Sequence, residues 1–149
     1  LPDIFNWKVY KAQLYQESLL KADARSHVGA AGIAQFMPGT WKQMVRELRF
    51  NSKASPFTAD LSIKAGAYYM AKLRRGWVED RPEVHRHSLA LASYNAGMGN
   101  IIKAQRVCGG ERLYHKIIVC LPEVTGRHSK ETIGYVNRIW AYWRRMMVE

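Results

Sequence analysis

Apolar side chains recur at three- and four-residue intervals along nearly the whole chain, the spacing that lines one face of an α-helix. Trp7, Tyr10, Leu14 and Glu17 fall at i, i+3, i+7 and i+10, which places three large side chains and one carboxyl on a single stripe. That helix is expected to fade just beyond Leu20. The stretch from Asp23 to Gly32, with Ser26, Gly29 and Gly32, predicts a loop or a short irregular hairpin. Pro38-Gly39-Thr40 reads as a helix start, followed by Trp41, Met44, Val45 and Leu48 on one face. Residues 51–57 form a polar connection, and Ile63, Gly66, Ala67, Met70 and Leu73 mark a helix that ends near Gly76. Pro82 opens another, from about Glu83 to Asn95, closed by Gly97. Two short helices, near 100–107 and 111–119, precede Pro122. A last helix begins near Ser129, a reasonable N-cap, and carries Tyr135, Val136, Ile139, Trp140, Trp143 and Met147. Strand signals are nearly absent, and no repeat or long linker divides the sequence. The pattern predicts one mainly α-helical domain over residues 1–149.

Charge and cysteine content narrow the possible partners. Formal net charge is +11, from 23 Lys and Arg against 12 Asp and Glu. Such an excess attracts polyanions: nucleic acid, anionic lipid or lipopolysaccharide, or an acidic wall polymer. The basic residues are spread out, with only short pairs such as Arg74-Arg75 and Arg144-Arg145, so a generally cationic surface is expected and nucleic acid is not. No apolar run approaches the roughly 20 residues that cross a bilayer. Leu1 stands where an initiating Met is absent, so removal of an upstream segment is expected. Cys108 and Cys120 fit no zinc pattern. One disulfide and two buried thiols both remain open, and so does the compartment.

A carboxyl on an apolar stripe costs free energy unless its surroundings keep it neutral or paired. One use for such a group is general acid catalysis, and this makes Glu17 the leading catalytic candidate. Around it stand four blocks: Glu17-Ser18; Gly29-Ala30-Ala31-Gly32-Ile33-Ala34-Gln35-Phe36-Met37-Pro38-Gly39-Thr40; Tyr94-Asn95-Ala96-Gly97; and Glu131-Thr132-Ile133-Gly134-Tyr135-Val136. In this order and at these separations they resemble the catalytic domain of the soluble lytic transglycosylase family, from about Tyr10 to Ile139.

The resemblance implies a lysozyme-like helical fold that cuts the glycan strands of peptidoglycan. It implies that Glu17 protonates the glycosidic oxygen and then takes the proton of the muramic C6 hydroxyl, closing a 1,6-anhydro ring without water. It also implies that Ser26, Gln35 and Met37 line the substrate groove. Tyr94 then reaches the catalytic site, while Asn95 contacts the glycan or fixes the local backbone. Glu131 would bind near the stem peptide and Tyr135 would lie close to Glu17. Gln35 offers both a donor and an acceptor for sugar hydroxyl and acetamido groups. The sequence departs from the family pattern at Ala34, Ser93 and Ile133, and Ala34 is expected to alter packing rather than chemistry. Ile33 and Phe36 are expected in the core.

A conventional glycosidase needs a second carboxylate, and between Glu17 and Glu47 only Asp23 is available, read here as a turn residue. Asp60, Asp80 and Glu131 remain as distant alternatives. The lack of a second acid suits a substrate-assisted route. A hydrolysing lysozyme and a non-catalytic wall-binding module are the rival readings. No metal or cofactor is expected; His85 and His87 read as a solvated face. The expected partners are glycan strands and an anionic envelope surface, with the protein a monomer acting at the bacterial cell wall, in the periplasm or outside the cell. Phage delivery remains open. In Trp140-Ala141-Tyr142-Trp143-Arg144-Arg145 the Trp residues are expected to complete the core while the Arg pair stays in water, with a membrane-disturbing role as the alternative.

Overall fold

The computed structural model describes residues 7–148, whose regular elements are helices, without a β-sheet among them. In chain order the helices are α1 (Trp7–Ser18), α2 (Pro38–Leu48), α3 (Ala59–Gly76), α4 (Glu83–Ala96), α5 (Met98–Val107), α6 (Tyr114–Ile117), α7 (Pro122–Thr125) and α8 (Ser129–Val148). Short 3-10 turns occupy Ile118–Cys120 and Gly126–His128. The chain divides into two compact units, Leu1–Tyr69 with Ile139–Glu149 and Met70–Arg138.

In the first unit the core is built from Leu14, Ile33, Ala34, Phe36, Trp41, Met44 and Ala65. Ile33 and Phe36 are core residues as expected, at 7% and 3% exposure. Trp41 packs on Phe36 and Phe50, and its indole N–H donates to the Ala54 carbonyl at 2.9 Å, which pins the connection between α2 and α3. Helix α2 starts at Pro38, whose missing N–H is no loss in a first turn, and ends on Arg49 in the left-handed region. Tyr15 meets Tyr142 edge-on at 4.9 Å. Trp140, Tyr142 and Trp143 are half-buried, so the Trp residues edge the core rather than complete it, while Arg144 and Arg145 stay in water as expected.

Two expectations for α1 need correction. Trp7 is 65% exposed and does not belong to the buried stripe; the buried positions are Val9, Ala12, Gln13, Leu14 and Ser18. Lys8 and Lys11 stand over the Trp7 ring. The helix also stops at Ser18, because Leu19 and Leu20 both take positive φ, 55° and 63°.

The second unit packs around α4, whose residues His87 to Ser93 are all buried. Leu89, Leu91, Ile101, Ile117 and Leu121 are fully buried with it. Gly97, at φ 91°, closes α4 as expected. The Trp77 indole donates to Ser93 Oγ at 3.0 Å. Buried Arg81 donates to the carbonyls of Arg112 at 2.7 Å and Trp77 at 3.0 Å. Cys108 and Cys120 are joined by a disulfide, which decides the alternative left open above. His85 and His87 do not form a solvated face: His87 is 6% exposed, and half-buried His85 accepts the Tyr114 backbone N–H at Nδ1, 3.0 Å away. Pro122 starts the short α7, which the periodicity does not predict. Ser129 is buried with helical φ and ψ, so α8 is entered from a 3-10 turn rather than capped by this residue.

Candidate active site

Glu17 lies half-buried in the last turn of α1. Its neighbour Ser18 is buried, and the hydroxyl donates to the Ile33 carbonyl at 2.8 Å and lies 3.2 Å from that of Leu14. This ties the carboxyl-bearing helix end to the glycine-containing loop. Burial pushes the Tyr10 phenol well above its usual pKa, and the Glu17 carboxylate adds to the rise, so the two groups feel each other's charge. Tyr10 in turn donates to the Ile63 carbonyl at 2.7 Å. It reaches that carbonyl because position 66 is glycine; a Cβ there would collide with the phenol oxygen.

The loop itself is held by its own backbone. Antiparallel bridges link Arg25 with Ala31 and Ala31 with Phe36. Gly32, at φ 83°, donates to the Ala24 carbonyl at 2.9 Å and lies so close to the Pro56 carbonyl that no side chain fits. Ser26 Oγ accepts the Ala30 N–H at 2.9 Å, so this hydroxyl closes a turn. Gln35 takes φ 53° and donates its side-chain amide to the carbonyls of Gly32 at 2.8 Å and Ala24 at 3.2 Å. Its donor is therefore spent on the loop rather than left for a sugar. Met37 is 44% exposed. Ala34 is fully buried and packs near Gly66, in line with a packing role.

In the second unit Asn95 and Glu131 line one cleft of about 420 Å³, with Asn100, Thr125, His128 and Thr132 among its walls. Asn95 Oδ1 accepts the Thr132 hydroxyl at 2.8 Å, which joins the end of α4 to the start of α8. Asn100 donates to the Ala96 carbonyl at 2.8 Å. Among the described residues lining the cleft, Glu131 is the one carboxylate and none is Lys or Arg. Tyr94 is half-buried, and Tyr135 is 2% exposed. Thus Glu17, Ser26, Gln35 and Met37 belong to the first unit, and Tyr94, Asn95, Glu131 and Tyr135 to the second. The sequence pattern missed Tyr10, Gly66 and Thr132 as supports. Tyr10 had a signal in its place on the Glu17 stripe, and Thr132 in its place inside the last motif block. Among the described residues no three His, Cys, Asp or Glu side chains gather as a metal site.

The family model described as "Transglycosylase SLT domain" matches residues 5–114. Membrane-bound lytic murein transglycosylase F of Desulfosudis oleivorans is 29% identical, the match covering 93% of this chain and 32% of that protein. The protein of the same name from Shewanella pealeana is 32% identical, with 89% and 27% covered. The chain thus spans a third or less of the length of these relatives. Among solved structures, an inactivated mutant of the lytic transglycosylase Slt from Pseudomonas aeruginosa superposes with a TM-score of 0.72 at 29% identity, covering 91% of this chain and 20% of that one. The 70 kDa soluble lytic transglycosylase of Escherichia coli gives a TM-score of 0.72 at 25% identity, covering 94% and 22%. The helical fold described above is therefore the lysozyme-like one expected from the sequence.

Proposed function

Because this chain belongs to the transglycosylase SLT domain family, we propose that it is a peptidoglycan lytic transglycosylase in which Glu17 serves first as acid and then as base. The carboxyl gives its proton to the oxygen between N-acetylmuramic acid and N-acetylglucosamine as the bond to C1 breaks. The sugar's own 2-acetamido group shares the positive charge at C1. The Glu17 carboxylate then removes the C6 hydroxyl proton, the C6 oxygen bonds to C1, and a 1,6-anhydro end forms with no water consumed.

The observation that carries this reading is the setting of Glu17, half-buried at a helix end that Ser18 fastens to the Gly32–Gln35 loop. The route without a second carboxylate is favoured by the other acids described in this unit. Asp23 and Asp60 are exposed, and Glu47 accepts from Gln43 and Tyr68. We assign Ser26, Gln35 and Met37 to the glycan-binding loop, with Ser26 and Gln35 shaping it and Met37 touching the sugar. Tyr94 supplies a hydroxyl, and buried Tyr135 supports its helix. The cleft of Asn95 and Glu131 takes the peptide-bearing part of the substrate, where the lone carboxylate complements an ammonium group. The disulfide suits work outside the cytosol, at the cell wall.

Mass spectrometry of purified peptidoglycan digested with this protein tests the reading. Anhydromuramic ends are expected from the native chain, and Glu17→Gln is expected to be roughly a thousandfold slower. Reducing muramic ends would make it a hydrolysing lysozyme. Binding without release by the native chain would leave a wall-binding module.

A further inference from the structure

Four non-glycine residues in the described chain take positive φ: Leu19, Leu20, Gln35 and Arg49. Arg49 is an ordinary helix ending, and Gln35 recovers hydrogen bonds through its amide. The two leucines are different. They are consecutive, and a leucine has no polar group with which to offset a left-handed backbone. A chain that needed only to stop α1 there would do so more cheaply with Gly or Asn. Nor does burial explain them, since Leu19 is 56% and Leu20 38% exposed. Strain and exposure together leave two apolar side chains available to a partner outside the folded chain.

Their place identifies what that is. Leu19 and Leu20 follow Glu17 by two and three residues, and the Leu19 N–H still bonds to the Tyr15 carbonyl at 2.9 Å, so the pair continues the surface at the end of α1. Val28 and Met37, at 62% and 44% exposure, are the other large apolar side chains exposed in the segment joining α1 to α2. We propose that Leu19 and Leu20 form an apolar lip beside Glu17 that grips the glycan strand through its C–H faces and methyl groups. This rests on the transglycosylase reading given above. A glycan is polar at its edges and apolar on its ring faces and acetamido and lactyl methyls, so an aliphatic lip selects those faces and keeps water from the carboxyl.

The test is sedimentation with purified peptidoglycan sacculi, run in a Glu17→Gln background to stop turnover. Replacing both leucines by Asn keeps a residue that accepts positive φ while removing the apolar surface. Binding about tenfold weaker is expected, with restoration when both leucines are Met instead. Leu19→Asn alone, at the more exposed position, repeats the measurement if the double variant melts early. Unchanged binding in the Asn variants overturns the proposal, as does a Met variant no better than Asn. Unchanged sacculus binding with lost affinity for anionic phospholipid vesicles also overturns it, and makes the lip a lipid contact. A native chain that releases no anhydro ends, yet binds sacculi through these leucines, sinks the catalytic reading and leaves the lip standing.

Discussion

The segment 19–37 of the first unit and the segment 108–128 of the second solve one problem in different ways. Each must hold a long connection, the first without a helix and the second with only short helical turns. The first does so without a covalent link, using backbone bridges, a glycine pressed on a carbonyl and the side chains of Ser18 and Gln35. The second uses the Cys108–Cys120 disulfide, short helical turns, and the buried anchors Ile117, Ile118 and Leu121. The difference teaches where orientation matters. Hydrogen bonds and left-handed residues fix the direction of individual side chains beside Glu17. A cross-link limits the freedom of a loop without aiming any one group.

The comparison breaks most sharply at Gly32. An alanine there meets both a positive φ and the Pro56 carbonyl, so Gly32→Ala is expected to cost about 4 kcal/mol in urea unfolding. Gly29 shares the positive φ but has open space around its Cα. Gly29→Ala should cost about 1–2 kcal/mol, the backbone part alone. Equal losses at the two sites would show that close approach does not matter.

The second unit should yield next, through its cross-link. The cysteines are 12 residues apart, and freeing a loop of that length in the unfolded chain corresponds to about 3 kcal/mol. Chemical unfolding of Cys108→Ser with Cys120→Ser measures it. Full stability in that variant would mean that the buried anchors suffice.

A smaller effect sharpens the contrast through pH. Burial, with the Arg74 charge adding to it, pushes the His87 imidazole down to about 3. The unfolded chain takes up this proton near pH 6.5 while the folded chain stays neutral. Stability therefore falls as pH drops between those values, by about 1.4 kcal/mol per pH unit. Unfolding curves at pH 7, 6 and 5 (roughly spanning the start of this window) should show that slope, and His87→Leu should remove it. The same slope in the variant would assign the loss to other groups.

Much of this was legible in the sequence because it is local. Pro38, Pro82 and Gly97 punctuate α2 and α4 where the sequence places them, since proline and glycine act through their own φ. The aromatic face of α2 followed from helical spacing. The stripe on α1 was misread at Trp7 because periodicity gives a direction without saying whether anything lies there to cover it. His87 was misread because a His on a polar-looking stretch gives no sign of the helix packing around it. Gln35 was singled out for its donor and acceptor, yet its amide turns toward its own loop, a choice fixed by the carbonyls of Ala24 and Gly32.

By itself the sequence determined a helical chain, the order of its principal helices, a glycine-containing loop after α1, and a carboxyl at that helix end amid motifs that identify a family. These follow from spacing, backbone preference and residue type, which act over a few positions. Only the tertiary structure decided that Cys108 pairs with Cys120, that Ser18 reaches Ile33, that Asn95 meets Thr132, and that two exposed leucines are held in a left-handed turn. Each of these depends on which groups come within a few ångströms after folding.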